Sequence, residues 1–420
     1  MKILIATDHY PPFIGGAHRQ AQLLAEGMAG FGHEVAVATA WHGGLPATER
    51  DGEVAVHRIR QLRTVIPALI HDENQRHQPP FPDPVTILGL RRLIADFRPD
   101  VIHAYGWLAF SVAAAMGRKR IPLLVSARDY GYFCATRTLL RKGEPCSGPA
   151  PLKCAACATD YYGMPKGVFA TAGVFACRPM LARKMTGLHS VSTYVSDVTG
   201  RYLFGPRGAP PTLVQVTIPS FQTDEPDQPL TPGDPEVASY LSQLPSEPFI
   251  LYVGAFRRVK GLEELFAAYR RLESPPPLVM IGTYERDTPA DFPPGATILT
   301  DVPHAAVMAT WDGAMFGVMP SLWPEPFGAT VAEGMNRGRP VIGTKPGGHA
   351  DMIGDRSGLL VPQGDVDALA IAMERLISEP ALREGYGREA SERARSFAAS
   401  SVLPRFEQAY RDVVAAGSSG

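Results

Sequence analysis

The chemistry this sequence can support concentrates in one sixteen-residue stretch. Pro320-Ser321-Leu322-Trp323-Pro324-Glu325-Pro326-Phe327-Gly328-Ala329-Thr330-Val331-Ala332-Glu333-Gly334-Met335 runs from a predicted strand end, through a proline-rich turn, into a predicted helix. The first amides of a helix have no partner inside it and carry the positive end of its dipole, so the backbone at Gly328, Ala329 and Thr330 suits a diphosphate. Gly328 lets that backbone approach a ligand closely. Glu325 in the turn and Glu333 down the helix can accept hydrogen bonds from sugar and ribose hydroxyls on either side of such a group. Two glutamates taken at random would be solvated; their place around a strand-to-helix turn is what singles these out.

Residues elsewhere in the chain have types and spacings that could bind an anion, a metal or a membrane. Lys260-Gly261 follows the predicted strand Phe249–Val253, with Arg257 and Arg258 just before it. Gly15-Gly16 follows the first strand and by itself is only a turn signal. Asp365-Val366-Asp367 has the form of a metal-binding pair, but it opens a helix, where an aspartate caps. Cys134, Cys146, Cys154 and Cys157 cluster and end in a C-x-x-C pair. Four such thiolates could hold a structural tetrahedral zinc and fasten residues 132–163, which show no strand or helix signal; the alternatives are reduced thiols or disulfides. Cys177 stands apart as an ordinary small apolar residue. Arg118-Lys119-Arg120 and Arg183-Lys184 are short basic clusters, read either as solvated faces or as contacts to anionic lipid.

The elements that must position these residues alternate. Lys2–Thr7, Glu34–Thr39, Glu53–Ile59, Asp100–Ala104 and Leu123–Ala127 are short apolar runs that read as buried strands, with helical periodicity between several of them, as in Ala17–Gly30. The pattern stops at residues 223–247, crowded with Pro, Asp, Glu and Ser, and then restarts. Phe249–Val253, Leu278–Gly282, Thr297–Leu299, Phe316–Met319 and Pro340–Gly343 are the second set of strands. Gly261–Tyr269 and Asp367–Ile377 are helices with apolar stripes. Strands alternating with helices predict parallel sheets covered on both faces. The resulting division is an N-terminal domain over 1–222 with the Cys-rich insertion at 132–163, a linker at 223–247 and a C-terminal domain over 248–399. A last helix over 400–416 is expected to cross back to the first domain.

Composition bounds the class. The 420 residues fit two domains, and 45% apolar with 20% charged residues supplies packed cores. A formal net charge of -1 gives no global electrostatic case for nucleic acid. The run MKILIATDHY lacks the apolar h-region of a signal peptide, and no stretch approaches a membrane-spanning length. The location expected is cytoplasmic, with peripheral contact at the inner membrane face left open.

Glu325 and Glu333, with seven residues between them in E-P-F-G and E-G-M, resemble the E-x7-E motif of retaining glycosyltransferases with the GT-B fold, and most of all glycosyltransferase family 4. Gly15-Gly16, Asp100-Val101-Ile102-His103, Tyr252-Val253-Gly254 with Lys260-Gly261, and Gly347-Gly348 stand in the family's order, so the resemblance covers nearly the whole chain. It implies an α/β architecture of two Rossmann-like domains whose parallel sheets face across a cleft. It also implies a nucleoside-diphosphate sugar donor, UDP or GDP, on the C-terminal domain. A glycan, lipid-linked or small-molecule hydroxyl acceptor belongs on the N-terminal one. Transfer would proceed with retention and without a catalytic metal.

By the same resemblance Glu325 orients the sugar, Glu333 holds the ribose, and Lys260 with Gly328, Ala329 and Thr330 holds the diphosphate. Gly15-Gly16 approaches the donor phosphates and the acceptor. The family's arginine near the lysine is Ala255 here, and Arg257 is the expected substitute. Tyr105 and Arg128 stand where the family often has histidines, one of which contacts the donor sugar. A nucleotide-sugar epimerase and a non-catalytic nucleotide-sugar-binding protein are the alternatives on this fold. A nicotinamide dehydrogenase lacks its G-x-G-x-x-G after the first strand.

Overall fold

The computed structural model describes residues 1–12, 16–66, 78–224 and 235–418. The chain divides into two compact units. The first comprises Met1–Lys142, Cys146–Ser220 and Val402–Gly420; the second comprises Phe221–Ser401 with Gly143–Pro145.

The first unit is built on an eight-stranded sheet. Its strands are β1 (Lys2–Ala6), β2 (Glu34–Ala40), β3 (Thr48–Asp51), β4 (Val54–Ile59), β5 (Val101–Tyr105) and β6 (Leu123–Ala127). After a two-stranded pair, β7 (Leu140–Arg141) and β8 (Glu144–Pro145), the sheet is completed by β9 (Gly187–Ser190) and β10 (Val214–Thr217). The order is β10-β9-β6-β5-β1-β2-β4-β3, parallel throughout except for β3 against β4. Strands β1, β5 and β6 are buried along their length apart from Lys2. Such burial on both faces is why they read as continuous apolar runs rather than alternating ones. The polar edge strand β3, TERD, has no such signal and is recognisable only through its pairing with β4.

Two expectations from the sequence do not hold. Residues 132–163 are not irregular: Pro151–Tyr162 is a helix with proline in its first turn, followed by the longer helix Lys166–Lys184. Small residues such as Ala155, Ala156 and Ala158 carry helix propensity without a large apolar stripe, so periodicity misses them. The 223–247 region likewise contains the helix Pro235–Leu241, which buries Val237.

The last helix, Ala399–Ser418, buries Val402, Phe406, Ala409, Tyr410 and Val413, one face at helical spacing, and from Val402 onward belongs to the first unit. A polar chain ties it to the sheet. His103 Nδ1 lies 2.8 Å from the Tyr410 hydroxyl, and His103 Nε2 lies 2.7 Å from Ser126 Oγ. Ser126 Oγ is 2.6 Å from His189 Nδ1, and His189 Nε2 lies 2.8 Å from the Ile218 carbonyl. A carbonyl only accepts, so neutral His189 carries its proton on Nε2, Ser126 donates to its Nδ1, His103 donates to Ser126, and Tyr410 donates to His103.

Burial pushes the His189 imidazole down to about 3 and His103 well below the ordinary histidine value. Unfolded histidine takes up a proton near pH 6.5, so the stability from these two neutral rings is full above that value and lost as pH falls through it. Burial raises Asp8 to about 6, which works the other way: the native carboxyl keeps a proton between about 6 and 3.8 that the unfolded one releases. These two histidines against this aspartate leave a loss of about 2 kcal/mol between pH 7 and pH 5.5, to which His33 and His57, also lowered by burial, add and Glu26, raised by burial, is opposed. Urea unfolding at the two pH values tests this; equal stability at both would refute it, and His189→Gln should flatten the difference.

The second unit holds a six-stranded, wholly parallel sheet. Its strands are β11 (Phe249–Val253), β12 (Leu278–Ile281), β13 (Thr297–Leu299), β14 (Ala314–Met319), β15 (Val341–Lys345) and β16 (Gly358–Pro362), in the order β13-β12-β11-β14-β15-β16. The chain steps outward from β11 to β13, then restarts at β14 and steps the other way. The gap between the ends of β11 and β14 is therefore a topological switch point, where open α/β sheets bind ligands. Asp365 caps the helix Val366–Ser378 by accepting from Ala368 N at 2.9 Å.

Candidate active site

The second unit's switch point gathers residues from three adjacent strand ends. After β11 the chain forms a short turn, Arg258–Lys260, and Gly261 starts the helix Leu262–Tyr269. Gly261 has φ 75°, and a Cβ there would lie 1.9 Å from the Pro320 carbonyl oxygen at the end of β14. Only glycine allows the two strand ends this close, and the approach sets Lys260 over the second loop. Lys260 Nζ donates to Glu325 Oε1 at 2.6 Å, and Ser321 Oγ donates to the same oxygen at 2.7 Å. Lys260 also lies over the Trp323 ring, 5.5 Å from its centre. Both hydrogen bonds converge on Oε1, so Oε2 is uncommitted among the described residues.

Glu325 is 8% exposed. Burial raises its pKa, but Lys260, His349 and the hydrogen bonds from Lys260 and Ser321 together outweigh it and hold the carboxyl below its ordinary value. It is a carboxylate with a cation in contact.

The helix Ala329–Asn336 begins beside this pair. Gly328 caps it at φ 119°, and its carbonyl accepts from Val331 N at 3.0 Å and Ala332 N at 3.3 Å. That leaves the amides of Ala329 and Thr330 as the ones the helix cannot satisfy internally. Thr330 Oγ1 turns inward to the Met319 sulfur, 3.6 Å away. One turn further, Glu333 places Oε1 3.2 Å from His304 Nε2, while its Oε2 is buried with no hydrogen-bond partner among the described residues.

The third strand end supplies a residue that sequence reasoning missed. Gly348 N donates to the Glu325 carbonyl at 2.6 Å, fixing the turn that carries the glutamate. The next residue, His349, is buried, and its Nδ1 accepts from Thr344 N at 3.3 Å. Burial lowers this imidazole to about 4, with the Glu325 charge opposing and Lys260 assisting, so the ring is neutral and carries its proton on Nε2. That nitrogen lies 2.8 Å from where a Gly328 Cβ would stand. A neutral N–H donor therefore sits at the start of the helix. The only signal for it in the sequence is its place after Gly347-Gly348.

The remaining predicted residues are placed differently. Arg257 precedes the Lys260 turn, but its side chain pairs with Asp287, Nε to Oδ1 at 3.1 Å. Ala255 offers its carbonyl to the Tyr252 hydroxyl at 2.9 Å. Gly16 opens the helix Gly16–Gly30 in the first unit, and Gly15 lies outside the described residues.

The four cysteines approach one another closely enough for Cys134 and Cys146 to raise the thiols of Cys154 and Cys157, after burial as the larger cause. Each sulfur has its own partner: Cys134 meets Thr136 Oγ1, Cys146 the Gly148 carbonyl, Cys157 the Leu140 carbonyl, and Cys154 accepts from Ala150 N. Among the described residues no group of three or more His, Cys, Asp or Glu is arranged to hold a metal ion. No helix among them is long and apolar enough to cross a membrane.

A cationic side chain, two amides unsatisfied within the helix and two carboxylates at a switch point are chemically able to hold an anion flanked by hydroxyls. Comparison with known proteins gives this site its context. The model described as "Glycosyl transferase 4-like domain" matches residues 15–217, and that described as "Glycosyl transferases group 1" matches 242–393. A glycogen synthase of Mycobacterium tuberculosis is 24% identical over 424 residues, spanning 94% of this chain and 91% of its own. Sucrose-phosphate synthase from Thermosynechococcus elongatus shares the fold with a TM-score of 0.74 at 19% identity, covering 99% of both chains. Anabaena HepE, crystallised with UDP-glucose, gives 0.64 at 14% identity over 97% of this chain and 98% of its own. With the second-unit site lying inside the group 1 match and every strand of the first-unit sheet except β1 inside the other, the chain belongs to the group 1 glycosyltransferases of the GT-B fold.

Proposed function

We propose that the chain transfers a sugar from a nucleoside diphosphate to a hydroxyl acceptor with retention, holding the donor on the second unit and the acceptor on the first. The observation that carries the donor site is the buried, unpartnered Oε2 of Glu333, one turn below two unsatisfied helix amides and beside a lysine–glutamate pair. A ribose hydroxyl would satisfy Glu333. The diphosphate would take the Ala329 and Thr330 amides, the His349 Nε2 proton and Lys260, and a sugar hydroxyl would take the open oxygen of Glu325.

Lys260 and the helix N-terminus then stabilise the charge that develops as the nucleotide leaves, the task elsewhere given to a metal. Arg257 joins them if the diphosphate draws it from Asp287. With Glu325 held by Lys260 and Ser321 and Glu333 given to the ribose, no carboxylate among the described residues of the site is left as a nucleophile, which suits transfer on one face with the departing phosphate accepting the acceptor's proton. The UDP-glucose bound by HepE supports a nucleotide sugar as donor.

Thermal unfolding with UDP, GDP, ADP, TDP and their sugars tests the reading. One nucleoside diphosphate should stabilise the protein by about 2.7 kcal/mol at a hundredfold excess over its Kd. Glu333→Ala should weaken that shift about tenfold or more in Kd. No shift with any nucleotide at saturation would sink the proposal, and sugar released as a rearranged donor rather than transferred would mark an epimerase.

A further inference from the structure

The first unit has a switch point of its own. Its chain steps from β1 to β2 and β4 on one side and from β5 to β6, β9 and β10 on the other, so β1 and β5 part at their C-terminal ends. Asp8, just past β1, meets the loop after β5 there, accepting from Leu108 N at 3.0 Å. Arg128 directly follows β6, the strand beside β5, and is part-buried: shielded by the fold yet reachable from solvent.

What sets Arg128 apart is the lack of an ion-pair partner among the described residues, the charge of the adjacent Asp129 acting on it only from a distance. Its Nη2 donates to Ser220 Oγ at 2.5 Å, and among the described residues no carboxylate pairs with it. The adjacent Asp129 is committed elsewhere, accepting from Arg137 Nε at 2.9 Å and from Gly131 N at 2.8 Å. The neighbouring Tyr105 is neutral, its hydroxyl pushed up to about 12 by burial, and His103 and His189 are neutral within their hydrogen-bonded chain. A guanidinium cannot shed its charge, so one partly withdrawn from water without a partner is costly to the fold. The remaining N–H groups of its fork match a carboxylate or a phosphate, and the Ser220 contact fixes the orientation of that fork.

We propose that Arg128 binds an anionic group on the acceptor, so that this transferase acts on a sugar bearing a carboxylate or a phosphate in preference to a neutral one. The inference rests on the transferase reading, with the acceptor on the first unit. It makes Arg128 the residue that selects acceptor class.

The test is calorimetric binding of glucuronate, glucose 6-phosphate and glucose to the intact protein at fixed ionic strength. It is run with and without the nucleoside diphosphate that stabilises the protein most. The wild type should bind at least one anionic sugar ten times more tightly than glucose, and the two anionic arms tell carboxylate from phosphate. Arg128→Gln should erase the difference, while Arg128→Lys, which keeps the charge and serves should the glutamine variant not fold, should retain part of it.

Equal binding of glucose and both anions, no binding of either anion, or a preference that survives in Arg128→Gln would each overturn the proposal. So would a preference for UDP-glucuronate over UDP-glucose that Arg128→Gln removes, since the anion would then belong to the donor. Failure of every nucleotide to bind would instead count against the transferase reading, and is seen separately because the sugar arms are also run alone.

Discussion

Lys260→Ala should lower kcat/KM with the nucleotide-sugar donor by a hundredfold to a thousandfold, about 3 to 4 kcal/mol of transition-state stabilisation. Its ammonium group is in direct contact with Glu325, and in the proposed mechanism it faces the charge that appears on the departing diphosphate. Its removal has a second consequence. Burial is the largest influence on Glu325 and Lys260 the largest opposing it, so without the lysine the carboxyl should rise above its ordinary value.

The sign of the pH dependence then reverses. In the wild type the stability from a depressed Glu325 is present above pH 4.5 and lost as pH falls. In Lys260→Ala, stability would be present in acid and lost as pH rises through the new pKa. Adding Glu325→Gln should recover stability but not activity, because it removes the orphaned charge without restoring the cation. Steady-state kinetics with urea unfolding of the two single variants and the double variant decides this. Activity within threefold of wild type in Lys260→Ala would exclude the lysine from charge stabilisation.

Gly261→Ala carries the largest expected cost in stability. An alanine at φ 75° costs about 1 to 2 kcal/mol for the left-handed conformation alone. The 1.9 Å approach of its Cβ to the Pro320 carbonyl cannot be relieved by a side-chain rotation, because the obstacle is backbone. The β11 and β14 ends must part, for a total of at least about 3 kcal/mol. Parting them also draws Lys260 away from Glu325, so activity should fall with stability. Gly295→Ala is the control: its φ is 78° and nothing stands within 4 Å of its Cβ, so it should cost only the conformational part. If the two substitutions destabilise the protein equally, the steric account of Gly261 is wrong.

Much of the architecture was legible because buried parallel strands leave a local mark. LLVSA at β6 and FILYV at β11 are apolar almost from end to end, since both faces of the sheet are covered. Where a strand is short, polar or at an edge, that mark fades. TERD at β3, GLHS at β9 and GLLVP at β16 become strands through their partners, and none has enough apolar length to announce itself. The helix Pro151–Tyr162 escaped for a related reason, with alanines and cysteines filling the positions where large apolar residues would show a period.

The site divides along the same line. By itself the sequence determined the residues with local grammar: the glycine and two glutamates of a strand-to-helix turn, the Lys-Gly after β11, and the Asp365 cap, each recognisable because turn and cap chemistry acts over a few neighbours. Only the tertiary structure decided which side chains meet. Lys260 and Glu325 are 65 positions apart and form one ion pair because the strand order makes β11 and β14 neighbours. His349 reaches Gly328, Arg257 turns to Asp287, and Arg128 is left without an ion-pair partner among the described residues through contacts between distant segments. Burial sets their protonation and long-range packing sets their partners, and neither is encoded in the spacing of residues along the chain.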